Sequence, residues 1–255
     1  MLLLFLIILV FLHHILSVSL FKRIKFMKTK IISLLLCVGL LFACNNTQKG
    51  AGIGAGGGAV LGGIIGAIAG NTAIGAAIGG AVGAGAGAII GKKMDKAKKE
   101  AEQVKNAQVE TVQDQNGLDC VKVTFDSGIL FQSGKSVLSA SAKNSLGRFA
   151  TVLKNNADCD IAIQGYTDNQ GFKGSSAAES QARNKALSLD RAAAVSNYLK
   201  GLAVSSSQIK SVEGFGEENP VADNSTAAGR QQNRRVEVYM YASQKMINDA
   251  QSQAN

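Results

Sequence analysis

Residues 161–201 read IAIQGYTDNQGFKGSSAAESQARNKALSLDRAAAVSNYLKG, and this stretch decides the fold. Ile161–Gly165 is a short apolar run closed by glycine, which predicts a buried strand. Ala182–Gly201 has Leu187, Leu189, Ala193, Val195, Tyr198 and Leu199 near helical spacing, with no proline, which predicts a helix. The connector between them is polar and small. Working outward, VKVTF (121–125) alternates and is β-branched, so it reads as a strand. Residues 135–155 carry Val137, Leu138, Leu146, Phe149, Val152 and Leu153 and read as a helix. Ile209–Gly214 and Arg235–Tyr241 read as strands. The order strand–helix–strand–helix–strand–strand implies an α+β fold: a small mixed β-sheet with helices on one face.

The rest of the 255-residue chain differs sharply in composition. Residues 50–91 contain no charged residue, and glycine recurs every fourth position at 50, 54, 58, 62, 66 and 70, then at 75, 79, 83, 87 and 91. Positions four apart share a helix face, so each run predicts a helix with a glycine groove that another backbone can approach. Asn71-Thr72 suits a turn between the two runs. The expectation for 50–91 is a glycine-zipper helical hairpin, glycine face to glycine face, which either inserts in a membrane or drives homo-oligomerisation. Residues 92–116 are rich in Lys, Glu, Ala and Gln and are expected to form a charged helical linker. Residues 244–255 are expected to be a polar tail.

The formal charge of +9 gives no nucleic-acid footprint. Five basic residues (Lys22, Arg23, Lys25, Lys28, Lys30) belong to the apolar N-terminus, and residues 117–243 hold 14 Lys/Arg against 12 Asp/Glu. Residues 1–43 read as a signal peptide whose true start is Met27, since Lys28 and Lys30 precede the apolar run IISLLLCVGLLFA; the alternative is that the upstream apolar run MLLLFLIILVFLHHILSVSLF is a genuine N-terminal membrane helix. The closing Leu41-Phe42-Ala43-Cys44 resembles a bacterial lipobox. That resemblance implies cleavage before Cys44, its thioether lipidation and palmitate modification, and a lipidated N-terminus over 44–49. Cys120 and Cys159 both precede strand-like runs. They either pair in a disulfide, which an exported domain permits, or stay as two free thiols.

Four blocks then occur in order: FDSGILFQSGKSVLS (125–139), IQGYTDNQG (163–171), NKALSLDRAAAVSNYL (184–199) and GFGEENPVADNSTAAGRQQNRRVEV (214–238). Together they resemble the OmpA-like peptidoglycan-binding family over about residues 117–243. The resemblance implies a non-catalytic domain that binds the diaminopimelate-containing stem peptide of peptidoglycan. Asp168 would accept from the ligand ammonium and Arg191 would bind its carboxylate. Thr167, Asn184 and Arg234 would line the same pocket, and Ser127 and Gly128 would add contacts from the first loop. A carboxylate and a guanidinium facing one another suit a zwitterion by charge-assisted hydrogen bonds. Arg235 is expected to be structural. The segment 172–183 (FKGSSAAESQAR) is longer than the family's usual spacing and is expected to be a surface excursion beside the pocket.

No catalytic residue, metal or cofactor is expected. Both histidines, at 13 and 14, lie in the apolar N-terminus, so no Ser-His-Asp or Cys-His set is available. The expected protein is an outer-membrane lipoprotein with its C-terminal domain in the periplasm. Its expected partners are peptidoglycan and membrane lipid, reached through Cys44 and the 50–91 segment. The alternative is a structural membrane protein whose glycine zipper assembles helices, with wall binding secondary.

Overall fold

The computed structural model describes residues 84–114, 117–132 and 134–254, all within one compact unit of the chain, Gly54–Asn255. The signal peptide, Cys44 and residues 50–83 of the expected hairpin lie outside the described residues. The elements are α1 (Ala84–Ala101), β1 (Ala107–Gln113), β2 (Asp119–Asp126), α2 (Ser127–Leu130), α3 (Ala140–Asn155), β3 (Cys159–Gly165), α4 (Ala177–Gly201), β4 (Ile209–Gly214), α5 (Ala227–Asn233), β5 (Arg235–Ala242) and α6 (Gln244–Ala254).

The five strands form one mixed sheet in the order β1-β2-β5-β3-β4. Only β3 and β4 are parallel, joined by the α4 crossover; the other neighbours are antiparallel. One face of the sheet carries Val121, Val123, Phe125, Ile161, Ile163, Val236, Val238 and Met240, all buried in a single core with α1, α3, α4 and α6. The expected mixed sheet with helices on one face is therefore the observed architecture. Phe125 and Phe149 meet edge to face at 5.5 Å, a geometry that adds about 0.5–1.5 kcal/mol beyond area burial.

The opposite face carries a polar ladder. Arg235 Nε donates to Glu237 Oε1 at 2.7 Å, and Tyr239 Oη donates to Glu237 Oε2 at 2.7 Å. The Arg235 guanidinium lies 3.8 Å from the centre of the Tyr166 ring, and Lys122 pairs with Glu110 across β1 and β2. Arg235 thus binds Glu237 of its own strand, the Asn219 and Asn233 carbonyls and the Tyr166 ring, in the structural role expected of it.

The expected linker over 92–116 is not a spacer. Helix α1 runs without a break across Gly91 and buries Ala86, Ile90, Met94, Ala97 and Ala101 against the core. Within this helix the buried stripe is not the glycine stripe: nothing lies within 4 Å of a Cβ placed at Gly87. The helix ends at Ala101, a turn closed by Asn106 in the left-handed region at φ 62° follows, and 107–113 then form edge strand β1 rather than helix. The 244–255 segment is no loose tail, because α6 buries Met246, Ile247 and Ala250 beside α1. No described helix is long and apolar enough to cross a membrane.

The disulfide alternative is also overturned, since Cys120 and Cys159 are both free and buried. Strand β5 lies between their strands. Two strand spacings are about 10 Å, beyond the roughly 7 Å that a disulfide spans between Cα atoms. Burial pushes the Cys159 thiol up to about 12, and Cys120 higher still.

Candidate functional site

Two glycines at the carboxyl ends of β3 and β4 set the position of α4. A Cβ on Gly165 would lie 2.0 Å from the Ser188 carbonyl oxygen, and one on Gly214 would lie 2.3 Å from the Leu189 nitrogen. The helix therefore rests directly on sheet backbone. Ser188 Oγ, at the contact, accepts from the Gly216 N–H at 2.8 Å and donates to the Lys185 carbonyl at 2.8 Å. Asn184 and Arg191 lie four residues before and three after Ser188, so the same face delivers both to the strand ends. The buried stripe of α4 is polar at this end (Ser180, Asn184, Ser188, Arg191) and apolar at the other (Ala192, Val195, Leu199).

The loop after β3 is pinned from several sides. Tyr166 N–H donates to the Arg235 carbonyl at 2.9 Å, and Thr167 N–H to the Gly216 carbonyl at 2.7 Å. Asn184 Nδ2 donates to the Gln170 carbonyl at 3.2 Å and to Glu217 Oε2 at 3.4 Å. On the opposite side, Asp126 caps α2 by accepting from the Gly128 N–H at 2.6 Å and from Gln231 Nε2 at 2.7 Å. These contacts shape a cavity of about 800 Å³ at the strand ends.

All seven residues named from the sequence line that cavity: Ser127, Gly128, Thr167, Asp168, Asn184, Arg191 and Arg234. Asp168 and Arg191, the two halves of the expected clamp, do not bond each other. Asp168 bonds Arg234, not Arg191: Oδ2 accepts from Arg234 Nη1 at 2.5 Å, and Oδ1 accepts from the Gln170 N–H at 3.1 Å. Arg191 is 4% exposed yet forms no ion pair with any described residue. Its Nε donates to the Lys135 carbonyl at 3.0 Å, and its guanidinium lies 5.3 Å from the Phe131 ring centre. Burial lowers the Arg191 pKa, nearby Arg234 lowers it further, and Asp168 opposes both. The hydroxyls of Ser127 and Thr167 are buried without a hydrogen-bond partner among the described residues.

The sequence reading missed other lining residues, including Phe131, Phe172, Leu187 and Arg230. Arg230 had a legible signal, since it lies one helical turn before Arg234. Phe172 was hidden in the excursion. That segment is more ordered than a polar surface loop: α4 begins at Ala177, with Ser176 and Glu179 forming a capping box. Phe172 N–H donates to Ser180 Oγ at 3.1 Å, and the Arg183 guanidinium lies 4.0 Å from its ring centre. The excursion supplies a wall of the cavity. Chemically, three arginines and one aspartate suit an anionic or zwitterionic ligand with a free carboxylate.

Residues 130–234 match the OmpA family, and residues 27–95 match the YMGG-like Gly-zipper family. The chain is similar to the Escherichia coli protein named "Probable lipoprotein YiaD", with 34% identity over 47% of this chain and 51% of that protein. It is also similar to the "Peptidoglycan-binding protein ArfA" of Mycobacterium bovis, with 42% identity over 36% of this chain and 26% of that protein. It thus spans about half the length of the first and about a quarter of the second. In fold it resembles a MotB-like protein from Desulfovibrio vulgaris, at a TM-score of 0.50 and 21% identity over 60% of this chain and 93% of that one. The chain carries an OmpA-family domain over residues 130–234, preceded by a YMGG-like glycine-zipper segment over residues 27–95.

Proposed function

We propose that this protein is a non-catalytic lipoprotein of the outer membrane that binds the diaminopimelate-containing stem peptide of peptidoglycan and ties the membrane to the wall. The observation that carries the reading is Arg191, a buried guanidinium that forms no ion pair among the described residues, in a cavity that Asp168 also lines. A buried charge is costly unless paired, so a ligand carboxylate is the natural partner for Arg191. The ligand ammonium would share Asp168 with Arg234. The unpartnered hydroxyls of Ser127 and Thr167 offer two further hydrogen bonds. Lipidation at Cys44 would supply the membrane end. Similarity to a probable lipoprotein and to a peptidoglycan-binding protein supports both halves.

The test is sedimentation of the detergent-solubilised protein with purified peptidoglycan, comparing wild type with Arg191→Ala. Losing a hydrogen bond to a charged group costs about 1.5–3 kcal/mol, so binding should weaken by roughly 10- to 150-fold. Equal sedimentation of the two proteins would refute the role of Arg191. If wild type does not sediment at all, the glycine-zipper segment becomes the main functional part.

A further inference from the structure

A second concavity, of about 690 Å³, lies between the turn that follows α1 and the outer face of α3. Its lining includes Lys105, Asn106, Ser141, Lys143, Gly147 and Arg148, and no acidic residue. None of the three cations forms an ion pair with a described residue, although eight other basic residues of the described chain do. Asn106, held at φ 62°, donates from Nδ2 to Ser145 Oγ at 3.4 Å and so fixes the turn against α3.

Gly147 supplies an independent indication. Glycine in a helix interior costs about 0.8–1 kcal/mol relative to alanine, and no described neighbouring element makes up that cost at Gly147 by packing against it. Among the described residues, a Cβ at Gly147 would meet nothing within 4 Å beyond its own helix. The glycine leaves bare helix backbone as the floor of the groove. The groove also adjoins the first cavity, because Ser139 lines one and Ser141 the other, at most about 7 Å apart along the chain.

We propose that this groove seats the glycan strand of the wall polymer whose stem peptide enters the cavity of Asp168 and Arg191; this rests on the stem-peptide reading of that cavity. Sugar hydroxyl and acetamido groups would meet Asn106 and Ser141 over the flat floor at Gly147. Lys105, Lys143 and Arg148 would meet carboxylates of the neighbouring stem peptide on the same strand.

The experiment measures affinity of the solubilised full-length chain for two ligands, a free stem peptide and a wall tetrasaccharide carrying two stem peptides. Wild type should bind the tetrasaccharide about tenfold more tightly, beyond the statistical factor of about two for two peptides. Gly147→Gln, which fills the floor while favouring helix, and the double variant Lys143→Ala/Arg148→Ala should each erase that advantage and leave stem-peptide affinity unchanged. A melting temperature at or above wild type for Gly147→Gln shows that the fold is intact. Equal affinity of wild type for both ligands, or an undiminished advantage in the variants, overturns the proposal. Groove-dependent binding of the tetrasaccharide without any binding of the free peptide would instead overturn the stem-peptide reading alone, and binding of neither ligand overturns both.

Discussion

Gly165 ends β3 directly beneath α4, and a single added methyl there should unseat the helix. A Cβ at this position would lie 2.0 Å from the Ser188 carbonyl oxygen, whereas ordinary contact begins at 3.4 Å. Helix and strand would have to separate by about 1.4 Å, the difference between those distances. The obstacle is backbone, so no side-chain rotation relieves it. Overpacking of this kind costs about 1–3 kcal/mol, and a backbone clash belongs at the upper end. For a domain of this size each kcal/mol shifts the midpoint by roughly 2–4 °C, so Gly165→Ala should melt about 6–12 °C below wild type. Because Asn184 and Arg191 ride on the same helix, wall binding should fall by roughly tenfold or more even at temperatures where the variant is folded. Circular dichroism melting and peptidoglycan sedimentation read the two effects. A variant that melts within about 2 °C of wild type and binds equally would refute the idea that the glycine contact positions the site.

Three other perturbations have definite expected outcomes. Cys120 and Cys159 are buried with raised thiol pKa values, so neither should react with a thiol reagent at pH 8 until the protein unfolds, when both should. Prompt labelling of the native protein would contradict their burial. Burial raises the Asp160 pKa above its ordinary value, against the opposing pull of Lys210. The folded state therefore holds that proton more tightly than the unfolded one, which adds stability below the unfolded carboxyl pKa and loses it as pH rises through the folded value. Asp160→Asn should raise the melting temperature at neutral pH, and the gain should vanish on acidification; a variant less stable at pH 7 would contradict the sign. Gly147→Ala meets nothing within 4 Å, so it should stabilise α3 by about 0.5–1 kcal/mol in thermal melts, and a loss would indicate an unseen contact.

The sheet and its two long helices were legible because their apolar residues repeat at periods of two and about 3.6. What escaped the sequence has physical reasons. Strand β1 follows a lysine-rich helix through a short turn closed by Asn106 in a left-handed conformation, and with no glycine or proline there the charge and alanine content read straight through it. Val137 and Leu189 fitted an apolar helical pattern, yet both are exposed. Ser139 caps α3 and starts it after Val137, and α4 turns its serine, asparagine and arginine inward because the glycine-lined sheet end admits no bulky side chain. The seven site residues were legible through their motifs. Their pairing was not, because which arginine reaches Asp168 depends on where α4 and α5 come to rest. Arg234, at the end of α5, takes Asp168, and Arg191 turns to the Lys135 carbonyl and the Phe131 ring.

The most direct measurement is a crystal structure of the protein with a diaminopimelate-containing stem peptide. The expected result places the ligand carboxylate about 3 Å from the Arg191 guanidinium and its ammonium on Asp168 beside Arg234. A peptide bound elsewhere, with Arg191 contacting only Lys135 and Phe131, would contradict the proposed role of the cavity.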